Sequence, residues 1–179
     1  MAERACLTKR EKTVTRSFRI SESAFKALEE DASARTISVN TLVNQLLLAH
    51  TNLGRFLDKF GTIRMTRPSF AKLLNACSDA SVIEVARSVA LDTPKTIILA
   101  KYGVISLKTV LDYIRSMNAY AGWGDYGEVE SEGRLIITQT HNLGRKGSLF
   151  IGSYLESVFG LANVHPKTSL SEHSLIFEI

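Results

Sequence analysis

Residues 13–50 contain a change of period that few folds accommodate: an eight-residue stretch at strand spacing runs straight into two helical patterns separated by a short turn. In Thr13-Val14-Thr15-Arg16-Ser17-Phe18-Arg19-Ile20, alternate side chains fall on opposite faces of an extended chain. That alternation predicts a strand with Phe18 and Ile20 turned to a core and Thr15, Ser17 and Arg19 turned outward. Arg16 interrupts the pattern, and near a frayed strand end its stem can pack while its head reaches solvent or phosphate. Ser21 is a good N-cap, and Ala24, Phe25, Leu28 and Ala32 give a helix from Glu22 to about Ala34 one apolar face. Ser38 caps a second, from Val39 to about His50, whose face carries Val39, Leu42, Val43, Leu46 and Leu47. A lone strand has unpaired edges, and a unit of about 40 residues buries too little surface to stand alone. Both needs are met if two copies pair.

The charge distribution points the same way. The net charge is +4, and residues 1–20 hold all of it, with Arg4, Lys9, Arg10, Lys12, Arg16 and Arg19 set against Glu3 and Glu11. A basic arm on a neutral body suits a polyanionic partner, because phosphate contacts supply most non-specific affinity. A solvated N-terminal tail is the plainer reading of the same charges.

This order and spacing resemble the ribbon-helix-helix family of the MetJ/Arc/CopG type over roughly residues 13–50. The resemblance rests on the alternating strand, on the passage Phe18-Arg19-Ile20-Ser21-Glu22-Ser23 into the first helix, and on Ile37-Ser38-Val39-Asn40 opening the second. It implies that two chains pair their strands into an antiparallel ribbon that enters the DNA major groove, with outward side chains touching bases. Carried across, those side chains are Thr15, Ser17 and Arg19. Arg addresses guanine bidentately, while Ser and Thr bond to several base edges, which makes Arg19 the sharpest discriminator. Phosphate contacts fall to Lys9, Arg10, Lys12 and Arg16 and to the second helix's N-terminus at Ser38, Val39 and Asn40, where backbone N–H groups lack acceptors. The family's usual apolar preference at the position of Arg16 is not met.

The expected organisation is a basic arm at 1–12, the DNA-binding unit at 13–52, a linker or hinge at 53–61 and an effector or oligomerisation domain at 62–179. Within the last, Thr62–Thr66 reads as a short strand and Pro68 sits in the first turn of a helix running through Leu74. A helix carries Val82, Val85, Ala86, Val89 and Ala90, and Thr93-Pro94 opens another that ends near Gly103. Ser106 caps a longer one bearing Leu107, Val110, Leu111, Ile114 and Met117. Glu128–Ser131 and Arg134–Thr140 form a hairpin about Glu132-Gly133, a helix runs from about Arg145 to Phe159, and Lys167–Leu170 and Ser174–Ile179 add strands. The fold class is α+β, with helices on an antiparallel sheet. Tyr113, Tyr120, Trp123 and Tyr126 concentrate aromatic surface, a candidate ligand pocket or subunit interface, with helix–sheet packing the blander role.

Reactive chemistry is sparse. His141, His165 and His173 match no metal spacing, the two cysteines Cys6 and Cys77 lie far apart, and no cofactor motif or metal site is expected. The passage from His141 to Ser148 places two cations at a helix start, yet lacks the P-loop ending. No run approaches a membrane span, and the polar N-terminus argues for a cytoplasmic protein without a membrane partner. The expected function is therefore a non-enzymatic, sequence-specific regulator of transcription. Its partners are double-stranded DNA, a second copy in a homodimer or higher homo-oligomer, and a candidate small-molecule effector. The alternative is an architectural or protein-interaction module that bridges DNA or recruits a partner without an effector.

Overall fold

The computed structural model describes residues 13–179, so the arm at 1–12, with Lys9, Arg10 and Lys12, lies outside the described residues. The chain forms two compact units that divide between Gln45 and Leu46.

The first unit holds one helix and the first part of a second, and both form where their caps place them. Helix α1 spans Glu22–Ala34, with the Ser21 hydroxyl accepting from the Ala24 N–H. Helix α2 spans Val39–Ala49, with the Ser38 hydroxyl accepting from the Thr41 N–H at 3.0 Å. Between them Thr36 adopts φ 56° and Ile37 N–H donates to the Ala32 carbonyl, closing α1 in a Schellman turn. The strand expected from Val14 to Ile20 is not formed in the single chain, whose residues 13–20 carry no strand and are exposed. A strand exists only through hydrogen bonds to a neighbour, and no segment of the described chain supplies one. Val14, Phe18 and Ile20 are left 76%, 77% and 54% exposed, and α1 and α2 bury one residue each, Ala32 and Leu42.

The second unit is α+β. Residues 53–61, expected as a linker, are mostly helical, with a π-turn at His50–Gly54, helix α3 at Arg55–Leu57 and a 3-10 turn at Asp58–Phe60, and they bury Leu53 and Phe56. Thr62–Thr66 is irregular where a strand was expected. Its apolar pair, Ile63 and Met65, is 91% and 52% exposed, so nothing rewards the alternation. Helix α4 (Arg67–Asn75) starts at the Thr66 cap with proline in its first turn.

Helix α5 is a single helix, Asp79–Tyr102, where two were expected. Pro94 has no N–H to give and crowds the preceding turn. The helix passes through it because Ala86, Ala90, Pro94, Ile97 and Ile98 are all buried, along a helix that packs on α7. Gly103, at φ 70°, ends it in the left-handed conformation. Helix α6 (Leu107–Ala121) opens with a capping box between Ser106 and Thr109.

Strands β1 (Asp125–Ser131) and β2 (Arg134–Thr140) form the expected hairpin, turning through Glu132 and Gly133, both at positive φ. Helix α7 (Gly144–Gly160) follows, then β3 (Lys167–Leu170) and β4 (Ser174–Glu178). The sheet order is β1-β2-β4-β3, antiparallel throughout, with Ile137 opposite both Glu128 and Phe177. Ile137, Gln139, Leu175 and Phe177 are fully buried, whereas Val129 and Ile176 on the other face are exposed. Helix α7, buried along most of its length, lies between the sheet and α5. Among the described residues no helix is long and apolar enough to cross a membrane.

Candidate functional site

Two regions collect the residues singled out by sequence, one in each unit. In the first, Thr15, Arg16, Ser17 and Arg19 are all exposed on the unpaired segment that precedes α1. Arg16 donates to the neighbouring Thr15 carbonyl at 3.2 Å, and no carboxylate of the described chain lies within ion-pairing distance of either Arg16 or Arg19. Among the described residues, neither guanidinium is held in an ion pair. At the start of α2, Ser38 and Asn40 are exposed and Val39 is half-buried. The Ser38 hydroxyl is taken up by Thr41, through its N–H and its side chain at 2.8 Å, which leaves the first-turn N–H groups of Val39 and Asn40 without intrahelical acceptors.

The second region is a cavity of about 760 Å³ in the C-terminal unit. Of the aromatic group expected there, Trp123 and Tyr120 line it, and Asn52 donates to the Tyr120 hydroxyl. Tyr113 and Tyr126 do not. Tyr113 is buried in the core, its hydroxyl 2.7 Å from that of Tyr154, and burial pushes it up to about 12. Tyr126 donates instead to Glu128, which also receives both nitrogens of a bidentate contact from Arg115, at 2.8 and 2.6 Å. Burial works to raise the Glu128 carboxyl, but those hydrogen bonds and the Arg115 charge outweigh it and hold it below the ordinary range. This cluster is saturated and ties α6 to β1.

The sequence did not single out Phe70 or Phe150 for the cavity. Phe70 meets Phe150 edge-on at 5.3 Å, and Trp123 lies 6.2 Å from Phe150 and 4.8 Å from Tyr154, so helices α4 and α7 and the α6–β1 connection converge in one aromatic wall. Gly124 makes the turn beyond Trp123 possible: at φ 140°, a Cβ there would stand 1.8 Å from the Thr140 carbonyl oxygen. Arg64 and Arg67 supply the cationic part of the lining. Arg67 is held by its Nε donating to the Gly122 carbonyl at 2.7 Å, and neither has a carboxylate within ion-pairing distance among the described residues. Such a wall with a few fixed polar groups suits a small organic molecule.

One buried pair has the look of a catalytic dyad without its logic. His141 Nε2 lies 2.9 Å from the Ser148 hydroxyl, and His141 Nδ1 accepts from the Leu143 N–H. The neutral ring must then carry its proton on Nε2 and donate it to Ser148, which in turn donates to the Glu172 carbonyl. A base for Ser148 would need that nitrogen bare. Burial, aided by nearby His173, lowers the His141 pKa and favours this neutral form. The pair instead fastens the start of α7 to the β3–β4 turn. In the same passage Lys146 donates to the Asn75 and Cys77 carbonyls and Arg145 pairs with Asp79 at 2.7 Å, so both cations are engaged. Among the described residues no three or more His, Cys, Asp or Glu side chains gather as a metal would require.

Comparison with protein-family models, with curated proteins and with solved structures gave no match in any of the three.

Proposed function

We propose that this chain is a DNA-binding regulator of the ribbon-helix-helix kind, in which residues 13–20 of two copies pair into an antiparallel ribbon that enters the major groove. The observation that carries the reading is the exposure of Val14, Phe18 and Ile20 beside two well-capped helices that bury only Ala32 and Leu42. A unit so small and so poorly filled gains its core from a second copy. Strand pairing would satisfy the idle backbone groups of residues 13–20 and turn Phe18 and Ile20 inward, leaving Thr15, Ser17 and Arg19 for base edges. The open N-terminus of α2 at Ser38, Val39 and Asn40 offers N–H groups to a phosphate, and Arg16 and the arm's Lys9, Arg10 and Lys12 add cations for the DNA backbone. The C-terminal unit serves as the sensor or oligomerisation domain.

Titration of the full-length chain against a random-sequence library and a selected operator, followed by fluorescence anisotropy, tests this. Arg19→Ala should weaken operator binding by roughly 1–3 kcal/mol and relax sequence preference while leaving random DNA almost untouched. Equal weakening on both would make Arg19 a phosphate contact. Failure of the native chain to bind any DNA at low salt would end the proposal.

A further inference from the structure

The cavity of the C-terminal unit has a chemistry narrower than its size. Trp123, Phe70 and Phe150 form one wall, and their mutual edge-on contacts fix the ring planes before anything binds. Arg64 and Arg67 face the same space, against a single lining carboxylate, Asp58, which stands 4.0 Å from His50 Nδ1. Arg67 is pre-positioned by its bond to the Gly122 carbonyl, which spends its Nε and leaves its terminal nitrogens to donate elsewhere. Arg64 has no carboxylate near it among the described residues. Two guanidiniums with no counter-ion among the described residues, set beside an aromatic wall, are complementary to a flat apolar body with a negative end.

We infer that this cavity binds a ring-bearing organic anion, an aromatic carboxylate or its close equivalent, with its ring against Trp123, Phe70 and Phe150 and its carboxylate on Arg64 and Arg67. At about 760 Å³ the space admits a molecule of several fused or linked rings and no macromolecule. As the identity of an effector the inference rests on the sensor reading above, whereas as a binding site it stands on the cavity alone.

Trp123 is the chain's single tryptophan, so its fluorescence reports occupancy without a label. The full-length protein, with no DNA present, is titrated with 2-naphthoate and separately with the neutral 2-naphthalenemethanol, with calorimetry as a second readout. Naphthoate should quench saturably and bind about tenfold or more tighter than the alcohol, as a charge-assisted contact to guanidinium requires. Arg64→Gln should remove most of that preference while leaving the thermal transition in place, since the Arg64 side chain holds no part of the fold together. Arg87→Gln, outside this cavity, should change nothing. Absence of saturable quenching by naphthoate overturns the site. Equal affinity for alcohol and acid, or an Arg64→Gln protein that still prefers the acid as strongly, overturns the anion. A protein that binds naphthoate as expected but no DNA would keep this site and lose the regulator.

Discussion

Gln139 is fully buried in β2, and neither its amide oxygen nor its nitrogen finds a protein partner. Its position follows from the strand's period, which carries residue 139 inward with Leu135 and Ile137; its polarity does not. An unpaired buried amide costs about 1–3 kcal/mol by the measure of core substitutions. Gln139→Met keeps the unbranched shape and removes the amide, so it should stabilise the protein by roughly 1–2 kcal/mol. Urea unfolding would show this as a higher midpoint at unchanged slope. A lower midpoint would mean that the amide is satisfied in solution. The contrast with Tyr113 and Tyr154, whose buried hydroxyls are 2.7 Å apart and bond to each other, shows what a paired polar core looks like in the same unit.

At the scale of elements, what the sequence made legible was local. Ser21 and Ser38 mark the starts of α1 and α2, Ser106 that of α6, and the Glu132-Gly133 turn the β1–β2 hairpin, because a cap or a positive-φ turn is decided by a few neighbouring residues. Pro94 and Thr62–Thr66 misled for the opposite reason: whether proline breaks α5, or alternation makes a strand, depends on what packs alongside. The cavity was legible only in part, through Tyr120 and Trp123. Phe70 and Phe150 join them from α4 and α7, far off in sequence, and nothing local announces that convergence. The proposed ribbon is the extreme case, since its second strand would belong to another copy. If Phe18 is a core residue of that pair, Phe18→Ala should cost the dimer roughly 3–5 kcal/mol and lower DNA affinity with it. Sedimentation equilibrium across a concentration series would reveal the shift to monomer. A stable, fully dimeric Phe18→Ala protein would mean that the faces of the strand are assigned the wrong way round.

For the whole molecule the decisive property is where charge resides. Residues 1–20 carry the entire net charge of +4, and residues 21–179 balance to zero. Affinity for DNA should then depend on salt through one short segment, because each phosphate neutralised releases condensed counterions in proportion. If each chain of a dimer sets about three of its N-terminal cations on phosphates, some six contacts give a slope of log affinity against log salt of about −5. Replacing Lys9, Arg10 and Lys12 together by glutamine should flatten that slope and weaken operator and random DNA alike, since phosphate contacts carry no sequence information. Arg19→Ala should do the reverse, changing preference more than slope. The two effects separate cleanly in one anisotropy series run at several salt concentrations. Were the triple variant to keep the native slope, the arm would be a solvated tail, and the phosphate contacts would have to come from the start of α2 and Arg16.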